Sequence, residues 1–250
     1  MILASHDLKN VDCIEGLAEL PEACCDLVYL DPPFMTGRRH TAAEGSYGDS
    51  WDNLADYMSY MRPRLEHVHR VLKATGSVLV HCDWRTCHHF RVLLDDLFGP
   101  DQFVNHLIWS YGLGGSSPRR FARKHDDILF YGRSQNYYFE PPLVPATSNR
   151  LKGKLKKATD VICIPAINNM SHERVGYPTQ KPLALMELLV KACSPPNGFV
   201  VDPFCGSGTT LVASLKCQRK AQGFDPNAQA IAIAQMRLEA LTNSDSMISQ

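Results

Sequence analysis

Two apolar runs that each stop on an Asp-Pro step constrain this chain more than any other feature. Leu27, Val28, Tyr29 and Leu30 form a short continuous apolar stretch, and Asp31, Pro32, Pro33 and Phe34 follow at once. Such a run fits a strand covered on both faces of a parallel sheet. Proline cannot donate to a sheet ladder, so the strand must stop near Asp31. The residue before a proline is also held extended, which applies to both Asp31 and Pro32. The result is a stiff tip that presents one carboxylate, two proline carbonyls and a ring. Residues 198–210, GFVVDPFCGSGTT, repeat the device and add a glycine-rich turn that leads into a helical pattern. In open α/β sheets, ligands bind beyond the carboxyl ends of the strands. Two Asp-Pro tips therefore predict two halves of one site.

Strand and helix patterns alternate along the rest of the chain. This predicts an α/β fold: a Rossmann-like, mainly parallel sheet with helices on both faces. A helix is expected over 51–74 with a break or kink at Pro63, and further strands over GSVLVHCD, FVNHLIWSY and KHDDILFYGRS. Residues 36–50 form a long polar loop. Residues 141–176 lack clear periodicity and are expected as a small inserted segment outside the sheet. Residues 1–140 and 177–240 then make two halves of one domain, and 241–250 a disordered tail.

Composition excludes several classes. A hydrophobic content of 44% and a charged content of 21% are ordinary for a soluble domain. The opening MILASHDLKN lacks the regions of a signal peptide, and no apolar run is long enough to cross a bilayer. Nine cysteines, an odd number, read as reduced thiols and a cytoplasmic location. The segment HCDWRTCHH lacks a paired Cys-x-x-Cys and straddles a strand end and a helix start, so no metal is expected there. The formal net charge is zero, yet residues 118–157 hold ten Arg or Lys against three acids. A basic block on an acidic body suits a polyanion-binding face.

The glycine turn is not a dinucleotide fingerprint, because Leu211 stands where the last glycine would fall, and no Walker Lys-Ser/Thr follows it. NAD and ATP are therefore disfavoured. Asp225, some twenty residues after the turn, suits the two hydroxyls of a ribose. S-adenosylmethionine has a ribose, an adenine and an amino-acid tail in place of pyrophosphate, and it fits.

DPPF at 31–34, YPTQKP at 177–182 and DPFCGSGTT at 202–210 resemble the three main motifs of S-adenosylmethionine-dependent DNA amino-methyltransferases. Their order is similar to the β group of that family. The resemblance extends over most of the chain, with three departures: Phe34 replaces the more frequent Tyr, Tyr177 the more frequent His, and Val11 the glycine that usually precedes Asp12. It implies a catalytic tip of Asp31, Pro32, Pro33 and Phe34, where Asp31 and the Pro32 carbonyl accept the two N–H bonds of an exocyclic amine. Phe34 would stack on a base flipped out of its duplex. It further implies cofactor contacts at Phe204, Gly206, Ser207, Gly208 and Thr209, with Asp12 and Asp202 nearby and Asp225 on the ribose. Thr179, Lys181 and Pro182 would approach the methionine part, with Lys181 facing its carboxylate. Candidate contacts to double-stranded DNA are Arg119, Arg120, Arg123, Lys124, Arg150 and Lys152, with Arg38 and Arg39 closing over the substrate. A homodimer and a cognate restriction endonuclease are the partners this family suggests.

An aspartate at the head of the tetrapeptide points to adenine N6 within such a family, with cytosine N4 as the alternative. A catalytically inactive DNA-binding subunit and a nucleotide-dependent oxidoreductase are further readings, opposed by the intact tip and by Leu211 respectively.

Overall fold

The structure, a computed structural model, describes residues 5–36, 39–42, 45–48, 51–112, 116–146, 149–168 and 170–248. The chain opens with β1 (His6–Lys9), α1 (Cys13–Ala18) and β2 (Cys25–Leu30), then a small ribbon of β3 (Arg39–Ala42) and β4 (Gly45–Gly48). Next come α2 (Leu54–Val71), β5 (Leu72–Cys82), α3 (Cys87–Phe98), β6 (Phe103–Ser110) and β7 (His125–Gly132). A second ribbon, β8 (Leu143–Pro145) and β9 (Leu155–Lys157), precedes β10 (Val161–Cys163). The chain then runs through α4 (Leu183–Cys193), β11 (Phe199–Asp202), α5 (Thr209–Lys216), β12 (Lys220–Phe224) and α6 (Ala228–Ile248).

Eight strands form one sheet in the order β1-β12-β11-β2-β5-β7-β6-β10. Only β7 runs against its neighbours, pairing antiparallel with both β5 and β6. All six residues of β2 are buried, as its unbroken apolar run predicts. Alternation then sorts them between two cores. Val28 and Leu30 face α1, α2 and α3 with Val78 and Val80, whereas Leu27 and Tyr29 face α4 and α5 with Leu79. The mainly parallel sheet with helices on both faces is as expected from sequence.

Three boundaries differ from the sequence reading. Helix α2 runs through Pro63 without interruption. Its start is set by Asn53, whose Oδ1 accepts the Asp56 amide at 3.0 Å. The excursion expected over 141–176 is not wholly outside the sheet: Val161–Cys163 rejoin it as an edge strand, with Ile162 opposite Trp109. Ile162 is buried, and three residues are too short a run to show alternation in the sequence. The tail expected to be disordered from 241 continues α6 to Ile248, with Leu241 packed on the α5–α6 core.

Gly208 joins this packing to the site. It has φ 75°, in the left-handed region, at the start of α5, and a Cβ placed there would lie 2.7 Å from the Ala234 Cβ of α6. Both backbone and space require glycine. We expect Gly208→Ala to lower stability by about 1–3 kcal/mol through crowding, read as a lower urea midpoint with an unchanged slope.

Candidate active site

The carboxyl ends of four neighbouring strands each deliver a carboxylate. In sheet order these are Asp12 after β1, Asp225 after β12, Asp202 at the end of β11 and Asp31 after β2. All four line one cavity of about 440 Å³, and Lys181 is the cation among its lining residues. Four acids so close together repel one another unless something cationic lies between them.

Each carboxylate is held. Asp12 caps α1 by accepting the Ile14 amide at 2.9 Å, and the Arg64 guanidinium reaches both its oxygens at 3.0 and 2.9 Å. Arg64 in turn lies 3.4 Å over the Tyr60 ring. Asp225 accepts the amides of Gly206 and Asn227 at 3.0 and 2.8 Å, and burial pushes its carboxyl up. Asp202 accepts the Phe204 amide at 3.0 Å. Burial, reinforced by the charges of Asp31 and Asp225 and opposed by donors from Thr210 and Phe204, pushes Asp202 up to about 7.

Asp31 is different. Its Oδ2 receives a hydrogen bond from the Lys181 Nζ, whereas its Oδ1 is buried with no hydrogen-bond partner. A buried carboxylate oxygen left unpaired is costly. It marks a place for a donor that the protein does not itself supply. Of the two proline carbonyls beside it, that of Pro33 already accepts the Tyr57 hydroxyl at 2.7 Å. The Phe34 ring sits 5.5 Å from that of His81, and the Lys181 ammonium lies 5.3 Å from its centroid.

Behind the tip runs a buried polar relay. The Tyr29 hydroxyl meets His81 Nδ1 at 2.7 Å, and His81 Nε2 meets Asp126 at 3.3 Å. Burial pushes Asp126 up, but His81, Lys181 and Tyr111 together outweigh it and hold that carboxyl below its ordinary range. The relay fixes His81, and with it the floor on which Phe34 rests.

The expected catalytic tip, Asp31, Pro32, Pro33 and Phe34, lines the cavity complete. So do Asp12, Thr179, Lys181, Asp202, Phe204, Gly206, Ser207, Thr209 and Asp225. Pro182 and Gly208 do not. Pro182 is buried at the start of α4, and Gly208 serves the packing against Ala234. Lys181, expected to face a cofactor carboxylate, is paired with Asp31. Gly206, at φ 49°, passes beneath the Tyr177 ring, which would lie 3.1 Å from an added Cβ.

Sequence reasoning missed the opposite wall, which Trp51 and Tyr60 contribute. Aromatics at 51, 57 and 60 were the available signal; the Trp51 ring lies 4.6 and 5.4 Å from those of Tyr57 and Tyr60. Arg237, from α6, was also missed. It donates to the Ser207 carbonyl at 2.6 Å and to the Thr209 hydroxyl at 2.9 Å, lacing the glycine turn to the last helix.

The expected DNA contacts fall in two places. Arg119, Arg120, Arg123 and Lys124 are exposed between β6 and β7, at the same sheet edge as Asp31. Arg150 and Lys152 are exposed near the β8–β9 ribbon. Arg38 lies outside the described residues, and of Arg39 only the backbone, in β3, is described. From HCDWRTCHH, Cys87 comes together with His106 and Asp127, their donor atoms within 4.8 Å of one another. His106 Nε2 bonds Asp127 at 2.7 Å and lies 3.5 Å from the Cys87 Sγ. No helix among the described residues is long and apolar enough to cross a membrane.

Comparison with known proteins places this geometry. A family described as DNA methylase matches residues 25–236. The Type II methyltransferase M.ScaI of Streptomyces caespitosus is 30% identical, over 95% of this chain and 82% of its own. Among solved structures, the PvuII DNA methyltransferase (cytosine-N4-specific) aligns with a TM-score of 0.71 at 20% identity, covering 94% of this chain and 86% of its own. TTHA0409 of Thermus thermophilus, solved with S-adenosyl-L-methionine, aligns with a TM-score of 0.65 at 23% identity, covering 93% and 92%.

The raised Asp202 gives the site a pH signature. The folded chain holds its proton up to about 7, whereas the unfolded chain releases it near the ordinary carboxylate value of 3.8. Stability from this group is therefore full below that value and is lost as pH rises towards about 7. We expect Asp202→Asn to gain on the unliganded parent across that window and to hold a constant lead above it, by several degrees in Tm at about 2–4 °C per kcal/mol. Thermal melts from pH 4 to 9 measure it.

Proposed function

The chain belongs to the DNA methylase family, amino-methyltransferases that use S-adenosylmethionine to modify adenine N6 or cytosine N4, and within it we propose that this protein methylates N6 of adenine in double-stranded DNA. The observation that carries the reading is the unpartnered Oδ1 of Asp31 at the wall of an acid-lined cavity.

The residues fit the cofactor. S-adenosylmethionine supplies an electrophilic methyl on a sulfonium and carries a net positive charge. A cavity with four carboxylates and one ammonium suits that charge. Asp225 keeps lone pairs for the ribose hydroxyls beyond its two backbone contacts. The turn from Phe204 to Thr209, with Tyr177 over Gly206, would hold the amino-acid tail. Asp12, Trp51 and Tyr60 make the facing wall.

The target amine is a poor nucleophile because its lone pair is delocalised into the ring. Asp31 and the Pro32 carbonyl accept its two N–H bonds, which lets the nitrogen pyramidalise and aim that pair. The Pro33 carbonyl is already engaged by the Tyr57 hydroxyl, which leaves the Pro32 carbonyl the less occupied of the two. Phe34, seated on His81, supports the face of the flipped base. When bound, the sulfonium would supply the methyl, its S–C bond breaking as the N–C bond forms, and Asp31 would take up the amine proton that leaves. The fixed φ of the prolines holds these acceptors in place before the substrate arrives. The choice of adenine rests on the aspartate that heads the tetrapeptide. Lys181, now on the Asp31 Oδ2, holds that oxygen and leaves Oδ1 for the amine.

Incubation with tritiated S-adenosylmethionine and unmethylated genomic DNA, followed by nucleoside digestion, tests this directly. We expect label in N6-methyladenine with the natural chain and a fall of about 10²–10³ in kcat for Asp31→Ala. Label in N4-methylcytosine would correct the base, and absence of both label and cofactor binding would overturn the reading. Because a bound cation favours the ionised form of Asp202, cofactor affinity should also rise as pH climbs towards about 7 and level off above it. Calorimetry in buffers of different ionisation heat should detect the released proton, and Asp202→Asn should abolish its release.

A further inference from the structure

Phe121 is 98% exposed, the most exposed large apolar side chain among the described residues. A lone exposed ring carries little meaning. Here, however, Arg119, Arg120, Arg123 and Lys124 crowd into the same six positions, on the carboxyl edge that holds Asp31.

The segment is exposed but not loose. Its base is closed by the Tyr111 amide on the Lys124 carbonyl and the Lys124 ammonium on the Gly112 carbonyl, both at 3.2 Å. Arg123 lies 3.3 Å over the ring of Trp84, a cation–π contact. Trp84 is itself fixed, in a tight turn that follows β5. The Asp83 carbonyl accepts the amides of Thr86 and Cys87 at 3.1 and 2.9 Å, and its carboxylate accepts the Arg85 amide at 2.9 Å. Register then sets the distance to the chemistry. Leu30 lies opposite Val80, so Asp31 stands beside His81, and Trp84 is three residues further on, at most about 11 Å of chain away.

Flipping a base leaves a gap in the duplex, and proteins that distort DNA fill such gaps with apolar wedges. We propose that Phe121 is this wedge: it enters the stack vacated by the target base, with Arg123 clamped on Trp84 as its root and Arg119 and Arg120 on phosphates. Trp84 is the less suitable wedge, because Arg123 already covers its ring, whereas the Phe121 ring is free. The inference rests on the DNA methyl-transfer reading above and adds to it the group that stabilises the flipped state.

A wedge and a simple contact differ in how they respond to pairing. Extruding a mispaired base costs less, so a wedge matters less there. Two duplexes that carry the position found methylated in genomic DNA, one paired and one mispaired at the target, distinguish the two. We expect Phe121→Ala to lose about tenfold or more in kcat/KM on the paired duplex. The loss should return to within about threefold on the mispaired one, with cofactor affinity unchanged throughout. Phe121→Leu, still apolar, should keep most of the activity, and Arg120→Ala should lose equally on both duplexes. With 2-aminopurine at the target, Phe121→Ala should also lower the fluorescence gain on flipping. Natural rates for Phe121→Ala, or an equal loss on both duplexes, would overturn the wedge. Failure of the natural chain to label any DNA would overturn the methyltransferase reading first, and the wedge with it.

Discussion

The pairing of β2 with β11 is the constraint from which the rest follows. Val200 lies opposite Leu27 and Val201 opposite Val28 in a parallel register. Just below them, Asp26 accepts the Phe199 amide at 2.8 Å across 173 residues of sequence. Both strands stop at an Asp-Pro step, and this register sets Asp202 level with Tyr29, two residues short of Asp31, so that both tips open into one cavity. A slip of one residue would send Tyr29 and Leu30 to the wrong cores and pull the two tips out of line. The buried side chains of β2 make such a slip costly, since each is worth about 1.5–3 kcal/mol of burial.

The elements legible in the sequence are those with strong local causes. Proline fixes where a strand can end, and glycine marks a turn that other residues cannot make; both Asp-Pro tips and the 206–208 turn are visible for that reason. Asp225 is visible through its spacing from the turn. What stays hidden depends on partners distant in sequence. Nothing near Asp12 announces Arg64, which reaches it from the middle of α2. Nothing near Lys181 announces that it turns to Asp31, 150 residues away, rather than to a cofactor carboxylate. β10 escapes notice because three residues cannot display a period, and the end of α6 because the stretch after Leu241, TNSDSMI, is mostly polar and shows no apolar period. Gly208 reads in sequence as part of the cavity wall, whereas its φ and its closeness to Ala234 serve the packing of two helices.

The acid-lined cavity gathers charge that the fold must otherwise hold apart. Four neighbouring strands lead into carboxylates, and Asp202 carries the cost as a retained proton. Such an arrangement is poor for the empty protein and good for a cationic guest, because the guest relieves the repulsion that the fold sustains. Recognition of charge is thus built into the sheet edge, while shape is supplied by the aromatic wall of Trp51, Tyr60 and Tyr177.

Arg237 lends the chain a schedule as well as a shape. It holds the glycine turn from α6, the last helix, and β1 at the start of the chain pairs only with β12 near the end. During synthesis the Asp31 tip emerges early, but the turn beside it cannot be secured until α6 has followed it out of the ribosome. Until then the nascent chain carries Asp31 without the facing half of its cavity.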